Sequence, residues 1–412
     1  MGQAKGSDAI LIAYEETAYG EDPAAPSGFV LRAHSIGLKG TRGTEDDPTL
    51  NPNGEASKPL LGNHDAGGSL PLSLSAEQDG KLLKHTLGGV TVFRPVSVQP
   101  VNVTGVVINN AAATCGVGVG TLAFTLIGTL LKWTASGDTA GAGVDVSAGG
   151  NFTLPSGTAG NDLYITVTAG GLPGADKSDA DIDVVNAYEH KLTFGDLPTG
   201  LTFDKDFGNA IAGAGRVEKI NGNRISECSI EFNQKGVIVS SYTFKGAKST
   251  FSAAVLDATP DDFGRNAFNA ADLKIKIDGA VSTSLKKASL KISNALDEDG
   301  YVVGSTSRAA LFESERKTDG SINALFDSNF FLDKADTQAD TAIDFEVKRG
   351  NGFGLVGNEY INFTVQQCSF EKNAPEISGP GGVLIDANFK GYLGANDEPS
   401  IVVTVRNQQA SL

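Results

Sequence analysis

The chain has 412 residues, 51 of them glycine, and a formal net charge of −16. This length predicts two domains, and the high glycine content with few aromatic residues favours many short strands and turns over long helices. The acidic charge argues against nucleic-acid binding through a lysine- and arginine-rich surface, because such binding depends on cations that displace counterions from phosphate.

The N-terminal sequence MGQAKGSDAILIAYEE predicts no signal peptide, since its apolar run is too short and acidic residues follow directly. The most apolar window, Val117 to Leu131, is broken by glycine and threonine and falls short of the roughly 20 residues that span a bilayer. Three scattered cysteines, Cys115, Cys228 and Cys368, argue against a disulfide framework and are interpreted as small core residues.

The first predicted helix lies in SAEQDGKLLKHTLGG, where Ser75 and Gln78 have the spacing of a capping box. Leucines then recur at helical offsets and two glycines follow as a stop signal: Leu82, Leu83, Leu87, Gly88 and Gly89. A second short helix is predicted in DSNFFLDKADTQ, with Asp327 or Ser328 as its N-cap.

Residues 96–186 differ in composition from the sequence on either side. They are rich in Ala, Gly, Thr, Val and Asp, and Lys132 and Lys177 are their only cations. The runs TLAFTLIGTLLKW, DVSAGGNFTLPSG and NDLYITVTAGG predict short strands between glycine-rich turns. We therefore expect an inserted small β-sandwich, with Trp133 buried in its core rather than stacked on a ligand.

Two later segments have the alternating pattern of antiparallel strands with one polar face. ISECSIEFNQKGVIVSSYTF predicts a hairpin with Cys228, Ile230 and Phe232 on the buried face. LKIKIDGAVSTSLKKASLKIS predicts another over residues 273–293, with its turn at Asp278 and Gly279.

The motifs that could carry chemistry fail on spacing, so the sequence predicts no catalytic, cofactor-binding or metal-ligating residue and no enzyme. The run Gly379-Pro380-Gly381-Gly382 lacks the Lys-Ser/Thr pair of a P-loop and precedes an alternating strand. We interpret it as the bend that directs the strand Val383 to Phe389 into the sheet, and we expect valine at residue 381 or 382 to disrupt the fold.

The DEDG at 297–300 lacks later ligands of a calcium loop and is interpreted as a solvated turn. The histidines have no metal-site spacing: His34, His64, His85 and His190.

Several blocks, in order along the chain, resemble the tail tube (major tail) proteins of phages with long, flexible, non-contractile tails. They are YEETAYGEDPAAPSGFVLRAHSIGLKGTRG, LLKHTLGG, SNALDEDGYVVGS, ERKTDGSINALFDSNFF, NAPEISGPGGVLIDANFKGY and IVVTVRNQQASL. The resemblance implies a mainly-β fold: a two-sheet β-sandwich or barrel with a short flanking α-helix, formed by residues 1–95 and 187–412. Residues 96–186 depart from this pattern and are similar to the Ig-like accessory β-domains that decorate some tail proteins.

The resemblance implies a structural virion protein that self-assembles, six copies to a ring, into the stacked rings of a tail tube. It implies the tape measure, tail terminator and distal tail or baseplate proteins as partners. Double-stranded DNA would pass through without specific binding, and assembly would take place in the host bacterial cytoplasm. Alternatives are the tube protein of a contractile tail or type VI secretion-like apparatus, and a β-rich carbohydrate- or surface-binding protein.

Two polar segments are interpreted as extensions that reach a neighbouring subunit: LKGTRGTEDDPTLNPNGEASKPLLGNHDAGG, expected to order only against the next ring, and the C-terminal NDEPSIVVTVRNQQASL. Part of the negative charge is expected to face the bore, where it would keep DNA from adhering. An acidic outer surface that aids solubility would explain the same net charge.

Overall fold

The computed structural model describes residues 4–47, 55, 57–95, 102–108, 118–135, 141–155, 163–168, 170–208, 211, 213–264, 266–377 and 379–412. Its described part is mainly β, as the sequence predicts. No helix in these ranges is long and apolar enough to cross a membrane.

The strands from the N-terminus to the end of the predicted insertion are β1 (Ile10–Glu15), β2 (Gly28–Leu31), β3 (Lys39–Glu45), β4 (Leu60–Ser73), β5 (Gly88–Phe93), β6 (Val106–Ile108), β7 (Gly118–Thr125), β8 (Leu130–Ala135), β9 (Val144–Asp145), β10 (Gly150–Leu154), β11 (Leu163–Val167) and β12 (Lys177–Val184). The strands that follow are β13 (Tyr188–Phe194), β14 (Leu201–Asp206), β15 (Val217–Asn233), β16 (Val239–Gly246), β17 (Lys248–Ser252), β18 (Leu273–Ile277), β19 (Ala280–Val281), β20 (Leu285–Ser293), β21 (Lys317–Leu325), β22 (Thr341–Lys348), β23 (Tyr360–Phe370), β24 (Leu384–Gly391) and β25 (Ile401–Asn407). The helices are α1 (Gln78–Leu87) and α2 (Phe330–Thr337), with 3₁₀ turns at Gly6–Asp8, Gly213–Gly215, Ala270–Asp272 and Ala395–Asp397.

The chain divides into two compact units. The first comprises residues 1–88, 194–344 and 365–401, and the second comprises residues 89–193, 345–364 and 402–412. The predicted division into 1–95 with 187–412 and 96–186 follows sequence composition instead, and it stays a prediction.

The first unit is built on one long strand, β15, which takes part in two sheets. Its N-terminal half pairs with β14 and β17, and its C-terminal half pairs with β16 and β20. Strand β14 continues to β1 and β2, whereas β16 continues to β4 and β20 continues to β21 and β24. Phe203 of β14 meets Phe244 of β16 edge to face, with ring centroids 5.0 Å apart, so the two sheets share a core.

The first predicted hairpin is confirmed. Strands β15 and β16 pair in antiparallel register, and Cys228, Ile230 and Phe232 are buried. The prediction of the second hairpin, over residues 273–293, is wrong in the pairing of its strands. Asp278 and Gly279, both at positive φ, turn β18 into the short β19, while β20 pairs with β15 and β21 instead. The two-residue turn fixes only its immediate neighbours, and tertiary pairing decides the partners of β20.

Both predicted extensions are largely paired within the single chain. Lys39–Glu45 and Leu60–Gly67 form an antiparallel hairpin, which we call the polar hairpin. It shows no alternation because its side chains are mostly solvated on both faces. The C-terminal strand β25 pairs with β13 in the second unit, and Leu412 is buried. The part of the first segment at 48–54 and 56 lies outside the described residues.

Helix α1 ends at Leu87, before Gly88, as predicted, but it begins later than the capping box implies: Gln78 is its first residue and Glu77, not Ser75, occupies the N-cap. The Ser75 hydroxyl accepts a hydrogen bond from the Gln78 N–H, as in a capping box. The Ser75 N–H, however, donates to the Asp79 carboxylate at 2.7 Å and not to the Gln78 side chain. Asp79 also accepts hydrogen bonds from the hydroxyls of Ser240 at 2.5 Å and Tyr242 at 2.8 Å. Desolvation of this buried carboxyl outweighs these hydrogen bonds and raises its pKa to about 6.

Helix α2 lies where the sequence predicts it, but neither Asp327 nor Ser328 caps it. Asn329 occupies the N-cap without a side-chain hydrogen bond, and the Ser328 hydroxyl donates to Asp327. The helix contacts the sheet through Phe331, whose ring lies 5.2 Å from that of Phe370.

The second unit contains a small β-sandwich from the predicted insertion. One sheet is β10-β11-β6 and the other is β12-β7-β8-β9. The two sheets enclose a core of their own in which Trp133 is fully buried, as predicted. The prediction for Cys115 falls outside the described residues.

The glycine run before β24 does not form the demanding bend that the sequence suggests. Gly379, Gly381 and Gly382 do not have left-handed φ values, and a Cβ atom added at Gly379 or Gly381 would meet nothing within 4 Å. A strained bend does occur at Gly68 in β4, where φ is +144° and a Cβ atom would lie 2.2 Å from the carbonyl oxygen of Gly37.

We expect Gly381→Val to change the free energy of unfolding by no more than about 0.5 kcal/mol, because the site is open. Gly68→Ala, the control, should cost more than about 1 kcal/mol, since it requires a disfavoured φ and displaces the Gly37 backbone. Urea denaturation measures both. Equal losses would show that the glycine run is as demanding a bend as Gly68.

The raised pKa of Asp79 makes stability depend on pH. Between the ordinary pKa of 3.8 and the folded value of about 6, the folded state holds a proton that the unfolded state has released. Stability from this group is therefore greatest at low pH and falls as pH rises through this window. Relative to Asp79→Asn, the wild type should lose roughly 1–3 kcal/mol between pH 4 and pH 7. A difference that stayed constant with pH would refute the shift.

Candidate assembly surfaces

The residues considered for chemistry lie in ordinary structural surroundings. In the described ranges, no group of three or more His, Cys, Asp and Glu side chains could hold a metal ion. His34 hydrogen-bonds Ser73, and His190 hydrogen-bonds the backbone of Gln409. Burial raises the pKa of the Cys228 and Cys368 thiols, so both are held as neutral groups.

An apolar turn is presented to solvent by residues 297–312, which we call the valine hairpin. Isolated bridges join Asp297 to Phe312 and Tyr301 to Arg308. At its tip the Ser305 N–H donates to the Val302 carbonyl, with Gly304 at φ +88°. Val303 is fully exposed there and Val302 is half exposed. Turn corners usually carry Gly, Pro, Asn, Asp or Ser, so a fully exposed valine next to a second exposed valine is unusual in this position.

Arg308 holds the valine hairpin against neighbouring strands of the first unit, β4 and β16. Its buried guanidinium donates to the Glu298 carbonyl at 2.9 Å, the Gly246 carbonyl at 2.8 Å and the Asp65 carboxylate at 2.8 Å. The Tyr301 hydroxyl donates to the His64 carbonyl at 2.6 Å. The tip is therefore a fixed projection beside the base of the polar hairpin.

The polar hairpin carries a second exposed apolar pair, Leu60 and Leu61. These leucines precede His64 and Asp65 on β4, the two residues that contact the valine hairpin. Apolar side chains from two hairpins are thus exposed at one end of the sheet.

A cavity lies at the other end of the same strands. This cavity, which we call the lysine recess, is open to solvent and has a volume of about 210 Å³. Its described lining contains apolar, basic and uncharged polar side chains and no carboxylate; the apolar and basic ones include Phe232, Leu273, Ile275, Val281, Leu285, Lys274, Lys286 and Lys287.

The polar face of the sheet carries paired charges of both signs. Lys291 lies 2.6 Å from Glu227, and Lys287 lies 3.6 Å from Glu231. The hydroxyls of Ser289 and Ser321 hydrogen-bond across β20 and β21. These lysines already have carboxylate neighbours, which weakens their attraction for phosphate.

Comparison with protein families shows which class of protein carries these surfaces. Residues 6–391 match the family model described as phage tail tube protein. The chain belongs to this family. No curated protein matches it. A phage tail tube protein is a structural component of the virion that assembles into a tube with other tail proteins. The prediction of a phage tail tube protein is therefore confirmed.

These candidate assembly surfaces of the tail tube protein were not predicted from the sequence. The run YVVGS contains two adjacent valines before a glycine, which is an unusual turn and was the available signal. Nothing in the sequence indicates the lysine recess, because its lining comes from β15, β18, β19 and β20.

We expect Arg308→Met to loosen the valine hairpin, because the three hydrogen bonds donated by the guanidinium are lost. The core should stay intact, because methionine keeps the apolar stem of the side chain. Amide hydrogen exchange should accelerate at least about tenfold at Ala309 and His64, whose N–H groups donate to Gly300 and Thr306. Arg216→Met, which removes the pair with Asp206, is the control and should leave these amides unchanged. Unaltered exchange in Arg308→Met would show that other contacts hold the hairpin.

Proposed function

We propose that this chain is the tail tube subunit of a phage with a long, flexible, non-contractile tail. Six copies close into a ring, and stacked rings form the conduit for the genome. The observation that carries this proposal is the family match over residues 6–391, nearly the whole chain. The role is structural and involves no catalysis.

The exposed surfaces of the first unit support repeated self-association. The valine hairpin and the leucine pair occupy one end of the sheet, and the lysine recess occupies the other end. Two different surfaces on one subunit allow head-to-tail contacts, which either close into rings or extend along an axis. A homodimer with a self-complementary patch would not require this arrangement.

The charge of the chain suits a passage for DNA. With a net charge of −16, part of which we place at the bore, the wall repels phosphate and the genome does not adhere. The paired lysines of the sheet, 2.6 and 3.6 Å from glutamates, are compatible with such a wall.

Residues 96–186 form an accessory domain on the outside of the tube in this proposal. The N–H of Val185 donates to the carbonyl oxygen of Pro95 at 2.9 Å, so the chain leaves and re-enters at neighbouring points. Adjacent ends allow a domain to be inserted without changing the strands beside it.

The remaining partners follow from the place of a tube in the virion. The bore encloses the tape measure protein, and the ends of the tube meet the tail terminator and the distal tail or baseplate proteins. Assembly takes place in the cytoplasm of the host bacterium.

The proposal is tested by negative-stain electron microscopy of the purified protein, which should form six-fold rings and tubes. In a first variant a two-residue Asn-Gly turn replaces residues 46–59, joining Glu45 to Leu60, which already pair. This protomer should fold but fail to stack, because the tip of the polar hairpin is gone.

A second variant serves as the control: a short glycine linker replaces residues 96–184 across the Val185–Pro95 contact, and tubes should still form. Monomers from the wild type at high concentration would overturn the tube proposal. Normal tubes from the first variant would exclude the polar hairpin from stacking, and loss of tubes from the second would contradict the external placement.

A further inference from the structure

The valine hairpin and the lysine recess lie at opposite ends of one strand pair. In the β15–β20 ladder, Glu227 faces Ser293 near the valine hairpin, and Asn233 faces Lys287 at the recess. Six residues separate these positions along each strand, about 20 Å at roughly 3.3 Å per residue. When a second copy of the chain is displaced along the direction of these strands, the valine hairpin of one copy approaches the lysine recess of the other.

The two features match in size and polarity. Val302 and Val303 present six side-chain carbons at a rigid turn, and the recess has a volume of about 210 Å³. A cavity of about 150 Å³ holds benzene, which also has six carbons. The apolar lining of the recess, including Leu273, Ile275 and Val281, suits such an occupant.

Their charges are complementary. The valine tip follows three consecutive carboxylates, Asp297, Glu298 and Asp299. The recess has Lys274 and Lys286 in its lining, and no carboxylate among its described lining residues. Opposite charge around an apolar contact fixes the register of the two surfaces and disfavours wrong partners.

We propose that the valine hairpin of one copy inserts into the lysine recess of a second copy of this chain in the next ring. The contact is placed between rings because the valine hairpin is hydrogen-bonded to His64 and Asp65, at the base of the polar hairpin to which stacking is assigned above. The inference rests on the proposed tube. It adds the residues that join one ring to the next.

Disulfide crosslinking of assembled protein tests the insertion. Val303→Cys with Val281→Cys, in a Cys115→Ala background, places one thiol on the tip and one in the recess. Oxidation should give a covalent ladder on a non-reducing gel that extends beyond six chains. The control, Val303→Cys with Val107→Cys, should not extend beyond dimers, because Val107 is similarly exposed on a different sheet.

Charge exchange provides a second measurement. Asp297→Lys with Asp299→Lys should raise the protein concentration needed for tubes by at least about tenfold, because like charges then meet at the recess. Adding Lys274→Asp and Lys286→Asp to the same chain should restore assembly to within about threefold of the wild type.

The outcomes separate this inference from the tube itself. Tubes without a ladder, or a charge exchange that fails to restore assembly of a folded protein, would overturn the insertion and leave the tail tube proposal standing. A ladder that stops at six would place the contact within a ring and overturn the axial assignment. Absence of rings and tubes from the wild type would remove the tube proposal and this inference with it.

Discussion

The first unit depends on the bend of a single strand that serves two sheets. Strand β15 changes partners near Gly222, which has φ +71° and would bring a Cβ atom to 2.7 Å from that of Ala247. Next to it, the buried Asn223 side chain donates to the carbonyls of Leu201 at 3.0 Å and Ile220 at 2.7 Å, where the ladder is interrupted. Backbone groups freed by the bend thus find partners, and the two sheets close on one core.

This bend also determines where the exposed surfaces lie. Because the C-terminal half of β15 pairs with β20, Asn233 at the end of β15 lies opposite Lys287 near the start of β20, and Ser293 at the end of β20 lies opposite Glu227. Connections that leave one end form the valine hairpin, and those at the other end enclose the lysine recess. A subunit with unlike ends has a direction, as a tube that begins at one tail structure and ends at another requires.

Local patterns predicted much of this fold because they report one-sided burial or helical spacing. Cys228, Ile230 and Phe232 alternate into the core, and the leucines of α1 recur at helical offsets. The polar hairpin was missed because it buries neither face. The sequence predicted Gln78 as the side chain that accepts from the Ser75 N–H, whereas Asp79 does so in the structure. Both residues lie within one helical turn of Ser75, and only the hydrogen bonds of Asp79 with Ser240 and Tyr242 favour it over Gln78.

The candidate assembly surfaces could not be predicted from local patterns for a different reason. Turn chemistry predicts where a chain reverses, but the role proposed for Val303 depends on a cavity of another copy of the chain, which no local pattern describes. Likewise the demand for glycine at 379–382 was overestimated, since glycine is needed where φ is positive or where a side chain would collide, and Gly68 meets both conditions.

The hydrogen bond between Val185 and Pro95 has a consequence for how such proteins diversify. Two chain ends that lie one hydrogen bond apart form a junction at which one folded module can be exchanged for another by recombination. With the inserted domain placed outside the tube, as proposed, selection on the virion exterior and selection on the tube act on separate stretches of the gene. The same junction offers a graft point, at which a foreign domain with adjacent termini would be displayed once per subunit along the whole length of a tail.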